Sequence, residues 1–291
     1  MAHRAGYVNI IGPPNAGKST LLNALLGEKL VITNPKAQTT RHRILGILNG
    51  DDHQIVFSDT PGVIEPRYEM QRRMMRAVNE AFRDADVLLI MSDPEHGPDQ
   101  LTGLVEKAGR MQVPVAVLVN KVDLVGQDRM EQALVSWQAA LPQAKVVPLS
   151  ALHGFHVPEL RDWLVRQLPE HPPYFPKDQL SDRHLRFFVA EIIRDKILEH
   201  FSDEIPYSSE VVVTSFQEEP EIVRIEADIV VMREGQKAIL IGHEGRALRR
   251  LGTAARKAIE DFLGMKVFLR FHIKVDEGWR EDADKLGQYG Y

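Results

Sequence analysis

The sequence predicts an α/β chain in two domains: a mostly parallel sheet with flanking helices, then a smaller α+β domain. Three observations lead there. From residue 7 to about 169, short apolar runs alternate with helical patterns, the rhythm of parallel strands joined by crossover helices. The stretch Gly12-Pro13-Pro14-Asn15-Ala16-Gly17-Lys18-Ser19 sits between the first such run and the first helix. Four prolines crowd residues 168–176, and beyond them the order becomes α-β-β-α-α-β. The expected divisions are a first domain at 1–170, a proline-rich linker at 171–182, a second domain at 183–275 and a tail at 276–291.

Composition bounds the rest. A chain of 291 residues is long for one domain and suits two. Its 44% hydrophobic and 26% charged residues are those of a globular protein. It has no cysteine, which excludes disulfides and thiolate-bound metals. No apolar run approaches the roughly 20 residues a membrane-spanning helix needs. The first residues lead straight into a strand and leave no room for a signal peptide, so a cytoplasmic protein is expected. A net charge of −5 carries no global signal for nucleic acid, which must therefore be sought locally.

In the first domain, strands are predicted at 7–11, 44–48, 53–58, 87–92, 113–120 and 145–149. Several are almost wholly apolar, as strands buried on both faces must be. Ligands of such sheets bind at the carboxyl ends of the strands, so the residues that follow each strand matter most.

The first of these segments fits G-x-x-x-x-G-K-[ST], with Thr20 opening the helix behind it. Gly12 and Gly17 let successive backbone N–H groups curl around a polyphosphate, and the helix N-terminus adds positive potential. Lys18 would reach the β and γ phosphates and the Ser19 hydroxyl would ligate Mg²⁺. After the third strand comes Asp59-Thr60-Pro61-Gly62, a carboxylate suited to hold Mg²⁺ through water and a Gly62 N–H placed to sense a γ-phosphate. After the fifth comes Asn120-Lys121-Val122-Asp123. The Asp123 carboxylate would accept from the two N–H donors on the edge of guanine, a pattern adenine lacks. Asn120 would support the base, and the Lys121 stem would cover its face. After the sixth, the Ala151 N–H of Ser150-Ala151-Leu152 would meet the guanine carbonyl. The polar loop 35–41 reads as a segment whose threonine hydroxyl closes on Mg²⁺ only when the γ-phosphate is present. Thr39 and Thr40 both qualify, with Thr40 preferred. Lys18, Thr40 and Gly62 are the candidate catalytic groups.

Together these motifs resemble the phosphate-loop GTPases, and their wording is similar to the Era-like branch of the translation-factor-related group. Ras-like members place a glutamine after the Asp-x-x-Gly glycine to orient water. Here that position is Val63, an apolar substitution the Era-like group shares, so slow intrinsic hydrolysis of GTP to GDP and phosphate is expected. Similar GTPases use an asparagine at the position of Asn15 to ligate K⁺; the alternative is that Asn15 braces the loop. The following helix carries Arg67, Arg72, Arg73, Arg76 and Arg83 among methionines, a solvated basic face or, alternatively, one that nucleotide state turns toward a partner.

In the second domain, helices are predicted at 184–201, 236–241 and 246–263, and strands at 209–216, 222–231 and 267–275. On the long helix, Leu248, Leu251, Ala255, Ile259 and Phe262 share one arc, while Arg246, Arg249, Arg250, Arg256 and Lys257 occupy the rest. Gly242-His243-Glu244-Gly245 precedes it and would let a nucleic-acid backbone approach the helix end. The arrangement resembles a type II KH domain, although Glu244 stands where a basic residue is common and would repel phosphate. The RNA-binding candidates are Gly242, His243, Glu244, Gly245, Arg246, Arg249 and Arg250. The tail is polar and acidic and is expected to be loosely ordered.

A GTPase with a carboxy-terminal KH domain matches the Era-like family over the full chain. That resemblance implies GTP and GDP as ligands and Mg²⁺, with K⁺ beside it, as cofactors. It implies a monomer that binds the 3′ end of 16S ribosomal RNA on the small ribosomal subunit and assists 30S assembly. A peripheral membrane contact, with an inner-membrane fraction, is a secondary expectation that no amphipathic anchor beyond the basic helix supports. The alternative is a signalling or membrane-peripheral GTPase whose second domain binds a protein.

Overall fold

A six-stranded sheet in the order β2-β3-β1-β4-β5-β6 forms the centre of the amino-terminal unit. Its strands are β1 (Arg4–Ile11), β2 (Ile44–Asn49), β3 (His53–Asp59), β4 (Val87–Ser92), β5 (Val115–Val119) and β6 (Lys145–Pro148). Only β2 runs antiparallel, against β3. Every residue of β4 and β5 is buried, because helices cover both faces of the sheet. The parallel pairings put the ends of β1, β3, β4, β5 and β6 on one edge. The covering helices are α1 (Lys18–Leu26), α2 (Glu69–Arg83), α3 (Thr102–Gly109), α4 (Gln127–Ala140) and α5 (Val157–Gln167). The proline-rich segment adds to the sheet's free edge: Ile47 N–H donates to Leu180 at 2.9 Å and Ser181 Oγ donates to the Leu45 carbonyl at 2.6 Å.

The computed structural model describes residues 2–291 and groups them in two units. The carboxy-terminal unit holds 183–291 together with two short segments from the first half of the chain, Ile32–Thr39 and Pro66–Arg73. Its helices are α6 (Leu185–His200), α7 (Ile205–Ser208), α8 (Glu234–Ile241) and α9 (Arg246–Leu263). They pack on a sheet ordered β7-β8-β9, formed by Glu210–Glu218, Ile222–Val231 and Lys266–Val275. The β7–β8 pair is antiparallel and the β8–β9 pair parallel, with Val213 and Ser215 flanking a bulge in β7. Val189, Ile193 and Ile197 of α6 meet Leu251, Ala255 and Ile259 of α9 in one apolar cluster.

The tail departs from expectation. It folds, ending in α10 (Ala283–Gln288), whose first N–H groups are capped by the Asp282 carboxylate. Trp279 is fully buried, donates from Nε1 to the Ser208 carbonyl at 3.3 Å and meets the Tyr289 ring edge-on. Arg73 donates to the carbonyls of Tyr291 and Ala283 at 2.5 and 2.7 Å, so one of the predicted surface arginines is a tether inside this unit. The reason is tertiary: Trp279 and Leu286 stand alone among polar and charged residues and show no period, yet both are fully buried in the fold.

Candidate functional site

The phosphate loop begins where β1 ends. Gly17 takes φ 98° at the N-terminus of α1, a left-handed turn that a side chain would strain. Lys18 is buried, and its ammonium lies 3.1 and 2.8 Å from the carbonyls of Gly12 and Pro13, so the chain bends around it. Burial lowers its pKa from 10.5 to about 8, with only the Asp59 carboxylate opposing. Ala16 is buried beneath the loop, whereas Asn15 is exposed at φ 61°. The Asn15 side chain makes no hydrogen bond among the described residues.

Three oxygens converge beside the loop. Asp59 Oδ2 accepts from Ser19 Oγ at 2.7 Å and from Thr40 Oγ1 at 3.1 Å, and the two hydroxyls are 3.0 Å apart. Asp59 Oδ1 is buried with no hydrogen-bond partner. Burial raises the Asp59 pKa, against the Ser19 hydrogen bond and the Lys18 charge. An unsatisfied carboxylate oxygen beside two hydroxyls is a donor set that fits a hard divalent ion such as Mg²⁺. Thr39 does not join it. Its hydroxyl donates within its own loop to the carbonyls of Lys36 at 2.6 Å and Asn34 at 3.3 Å. The structure places Thr40, and not Thr39, beside Ser19 and Asp59, because the turn through Gln38 directs the Thr39 hydroxyl back into its own loop.

Thr60 turns its hydroxyl onto the Ile10 carbonyl at 2.7 Å, fixing Asp59-Thr60-Pro61-Gly62 against β1. Val63 donates its N–H to Gly12 at 3.0 Å and packs its side chain into the apolar cluster around Ile11 and Val78. It offers no polar atom to a nucleophile.

The base-recognition loops lie at the ends of β5 and β6. Asn120 is buried and ties three segments, donating to the Ala16 carbonyl at 2.8 Å and accepting from Ala151 N–H at 2.9 Å. The Ala151 N–H expected to face a guanine carbonyl therefore already has an acceptor. Asp123 accepts from Ser150 Oγ at 2.6 Å, and this bond holds its carboxyl below the usual range. Its other oxygen lies 3.7 Å from His153. Leu152 is 74% exposed, so its contribution is its backbone position. Lys121 takes φ 63° and is clamped by Asp93 at 2.8 Å, which also meets His96 Nδ1 at 2.7 Å. Burial would raise the Asp93 pKa, but those two contacts outweigh it and hold it low. Sequence reasoning missed Asp93; its place at the end of β4 was the available signal.

In the carboxy-terminal unit, Gly242 (φ 72°), Glu244 (φ 52°) and Gly245 (φ 72°) form the turn between α8 and α9. A Cβ on Gly242 would lie 2.6 Å from that of Ala247, so the turn admits no side chain there. Glu244 does not stand free to repel phosphate: its carboxylate pairs with Arg246 at 2.7 Å, with His243 at 3.8 Å. Arg256 is likewise paired, with Glu260. Arg249, Arg250 and Lys257 have no carboxylate partner among the described residues. They line a shallow groove of about 550 Å³ along α9 with Arg246, Thr253 and Ala254. The unpaired positive charge thus lies further along the helix than the turn itself, and Lys257 extends the expected set.

Comparison with known proteins agrees with both halves. A family model described as "50S ribosome-binding GTPase" matches residues 7–121, and a KH domain model matches 204–280. The chain is 42% identical over 290 residues to GTPase Era of Geotalea uraniireducens, covering 99% of this chain and 98% of that protein. It is 41% identical to GTPase Era of Caldanaerobacter subterraneus, covering 100% and 99%. Among solved structures, Era in complex with MgGDPNP and nucleotides 1506–1542 of 16S ribosomal RNA superposes with a TM-score of 0.94 at 36% identity, covering 99% of each chain. An Aquifex aeolicus Era variant bound to GDP and AlF4⁻ superposes equally well. No helix among the described residues is long and apolar enough to cross a membrane.

Proposed function

The chain belongs to the Era family of GTPases, a phosphate-loop GTPase domain followed by a KH domain, and from that premise we propose how it couples GTP to RNA. GTP binding orders the loop that carries Thr40 and the segment after Gly62. In that state the KH unit clamps the 3′ region of 16S ribosomal RNA and assists assembly of the 30S subunit. Hydrolysis to GDP then releases the RNA. The site is cytoplasmic in this reading, as the partner requires.

The residues act as follows. Lys18 and the loop N–H groups bind the phosphates, Asp123 selects guanine, and Lys121, held by Asp93, covers the base. The hydroxyls of Ser19 and Thr40 would hold Mg²⁺, with the Asp59 carboxylate beside them. When bound, that ion neutralises charge developing between the β and γ phosphates. Val63 leaves the attacking water without a side-chain partner, so turnover is slow. The exposed Asn15 suits a K⁺ ion that would supply the missing charge, and equal turnover in potassium and sodium buffers would remove that role.

The observation that carries the RNA half is the run of unpaired cations along α9 behind a Gly-x-x-Gly turn. Phosphate contacts by cations release counterions, with a slope in log K against log salt of about −0.7 per contact for a single strand. Reversing Arg249 and Arg250 to glutamate should weaken binding of the 16S 3′-terminal RNA and flatten that slope by about 1.4. Unchanged affinity and slope would point instead to a protein partner for this unit.

A further inference from the structure

Within the carboxy-terminal unit, the segment Ile32–Thr39 is tied to α6 by three side chains. Arg194 is buried and gives its Nε and Nη2 to the Glu191 carboxylate at 2.8 and 2.6 Å. The same guanidinium reaches the Gln38 carbonyl from Nη1 at 3.3 Å and the Thr39 carbonyl from Nη2. Lys36 donates to the carbonyls of Leu198 and Phe201 at 2.5 and 2.6 Å, at the negative end of α6. Asn34 donates to Asp195 at 3.0 Å.

Net stability does not explain this construction. A buried ion pair contributes little against an apolar pair of the same volume, because desolvation cancels most of the attraction. What a planar guanidinium adds is direction, since its fork fixes several acceptors in one geometry. Here that geometry is imposed on strained backbone: Gln38 takes φ 58°, a left-handed conformation that a non-glycine residue keeps only when its surroundings enforce it. Two residues beyond Gln38 stands Thr40, whose hydroxyl reaches Asp59 and Ser19.

We infer that Arg194, oriented by Glu191, is a positioning residue for GTP hydrolysis: by gripping the Gln38 and Thr39 carbonyls it presents the Thr40 hydroxyl to the metal. The inference rests on the reading of Thr40 as a magnesium ligand, and it makes the first helix of the KH unit part of the GTPase switch. Coupling is reciprocal. Nucleotide that draws Thr40 toward the metal tightens this grip on α6, and loss of Thr40 from the metal loosens it.

The test uses the full chain with Arg194→Lys, Lys36→Gln, the charge-free double variant Glu191→Leu/Arg194→Met, and Thr40→Ala as reference. The double variant leaves no lone buried charge, so it keeps the fold measurable. Affinities for GDP and for GDPNP with Mg²⁺ are compared, along with kcat and KM for GTP over a Mg²⁺ titration. Hydrogen bonds from a charged donor are worth enough that their loss should weaken GDPNP binding by about 10- to 100-fold while GDP binding stays unchanged. The Mg²⁺ requirement for kcat should rise in parallel, with Arg194→Lys recovering part of it. Equal loss of GDP and GDPNP affinity, or none of either beside a clear effect of Thr40→Ala, overturns the inference and leaves the switch intact. An unchanged GDPNP-to-GDP ratio in Thr40→Ala overturns the reading of Thr40, and the inference with it.

Discussion

Lys18 titrates where nucleotide binding can be made to report on it. Burial against the Gly12 and Pro13 carbonyls lowers its pKa from 10.5 to about 8. At about 1.4 kcal/mol per pH unit, holding the ammonium charged without a nucleotide costs about 3 kcal/mol. Folding disfavours the charged form, so the free protein gains stability as pH rises from about 8 toward 10.5. Phosphate reverses the preference by supplying negative charge at hydrogen-bond distance. Binding should therefore take up a proton wherever the free lysine is neutral and the bound one charged. At pH 8.5 this amounts to about 0.8 proton, against roughly 0.1 at pH 7 from this group. Calorimetry of GDP binding at pH 8.5 in two buffers of different ionisation enthalpy gives the number directly. The terminal phosphate is fully ionised there, which removes the main competing source. Lys18→Met should bind more weakly and lose the uptake. An uptake near zero in the natural chain, or an equal uptake in Lys18→Met, would refute the electrostatic account of the loop.

Other residues give equally direct readouts. Trp279→Ala should destabilise the carboxy-terminal unit by about 3–5 kcal/mol in urea unfolding, since it empties a fully buried site and orphans the Ser208 carbonyl. A cost under about 1 kcal/mol would mean the tail is not packed as described. Asp123→Asn should cost guanine nucleotides at least about 100-fold in affinity by removing a charged acceptor from two N–H groups. The same variant should favour xanthine nucleotides, whose C2 carbonyl can accept from the new amide, and competition binding measures both. Gly242→Ala places a Cβ 2.6 Å from Ala247 at φ 72° and should weaken RNA binding while basal GTP turnover stays unchanged. Retained RNA affinity would show that the turn does not touch the RNA backbone.

What the sequence alone determined is what local chemistry dictates. The apolar runs located the strands to within a few residues, because strands buried on both faces are mostly apolar, with hydrogen-bonded exceptions such as Asn9, Gln54 and Ser58. Gly12 through Ser19, Asp59, Asn120 and Asp123 were legible because a phosphate cradle and a guanine edge each require particular groups at fixed distances from strand ends. The basic helix after Gly245 was legible from its period, although its pairing was not. The choice of Thr40 over Thr39 needed the loop's actual path, since adjacent threonines are chemically identical. Glu191 and Arg194 read as an ordinary surface pair until their burial and the Gln38 and Thr39 carbonyls are seen, and the role of Asp93 needed its partner Lys121 from another strand end. Trp279 and Leu286 carried no periodic signal, and only contacts such as that of Trp279 with the distant Ser208 carbonyl show that the polar tail is structured. Period and motif encode what each segment does with its nearest neighbours, whereas burial of charge and assignment of a hydroxyl depend on distant segments that meet only in the fold.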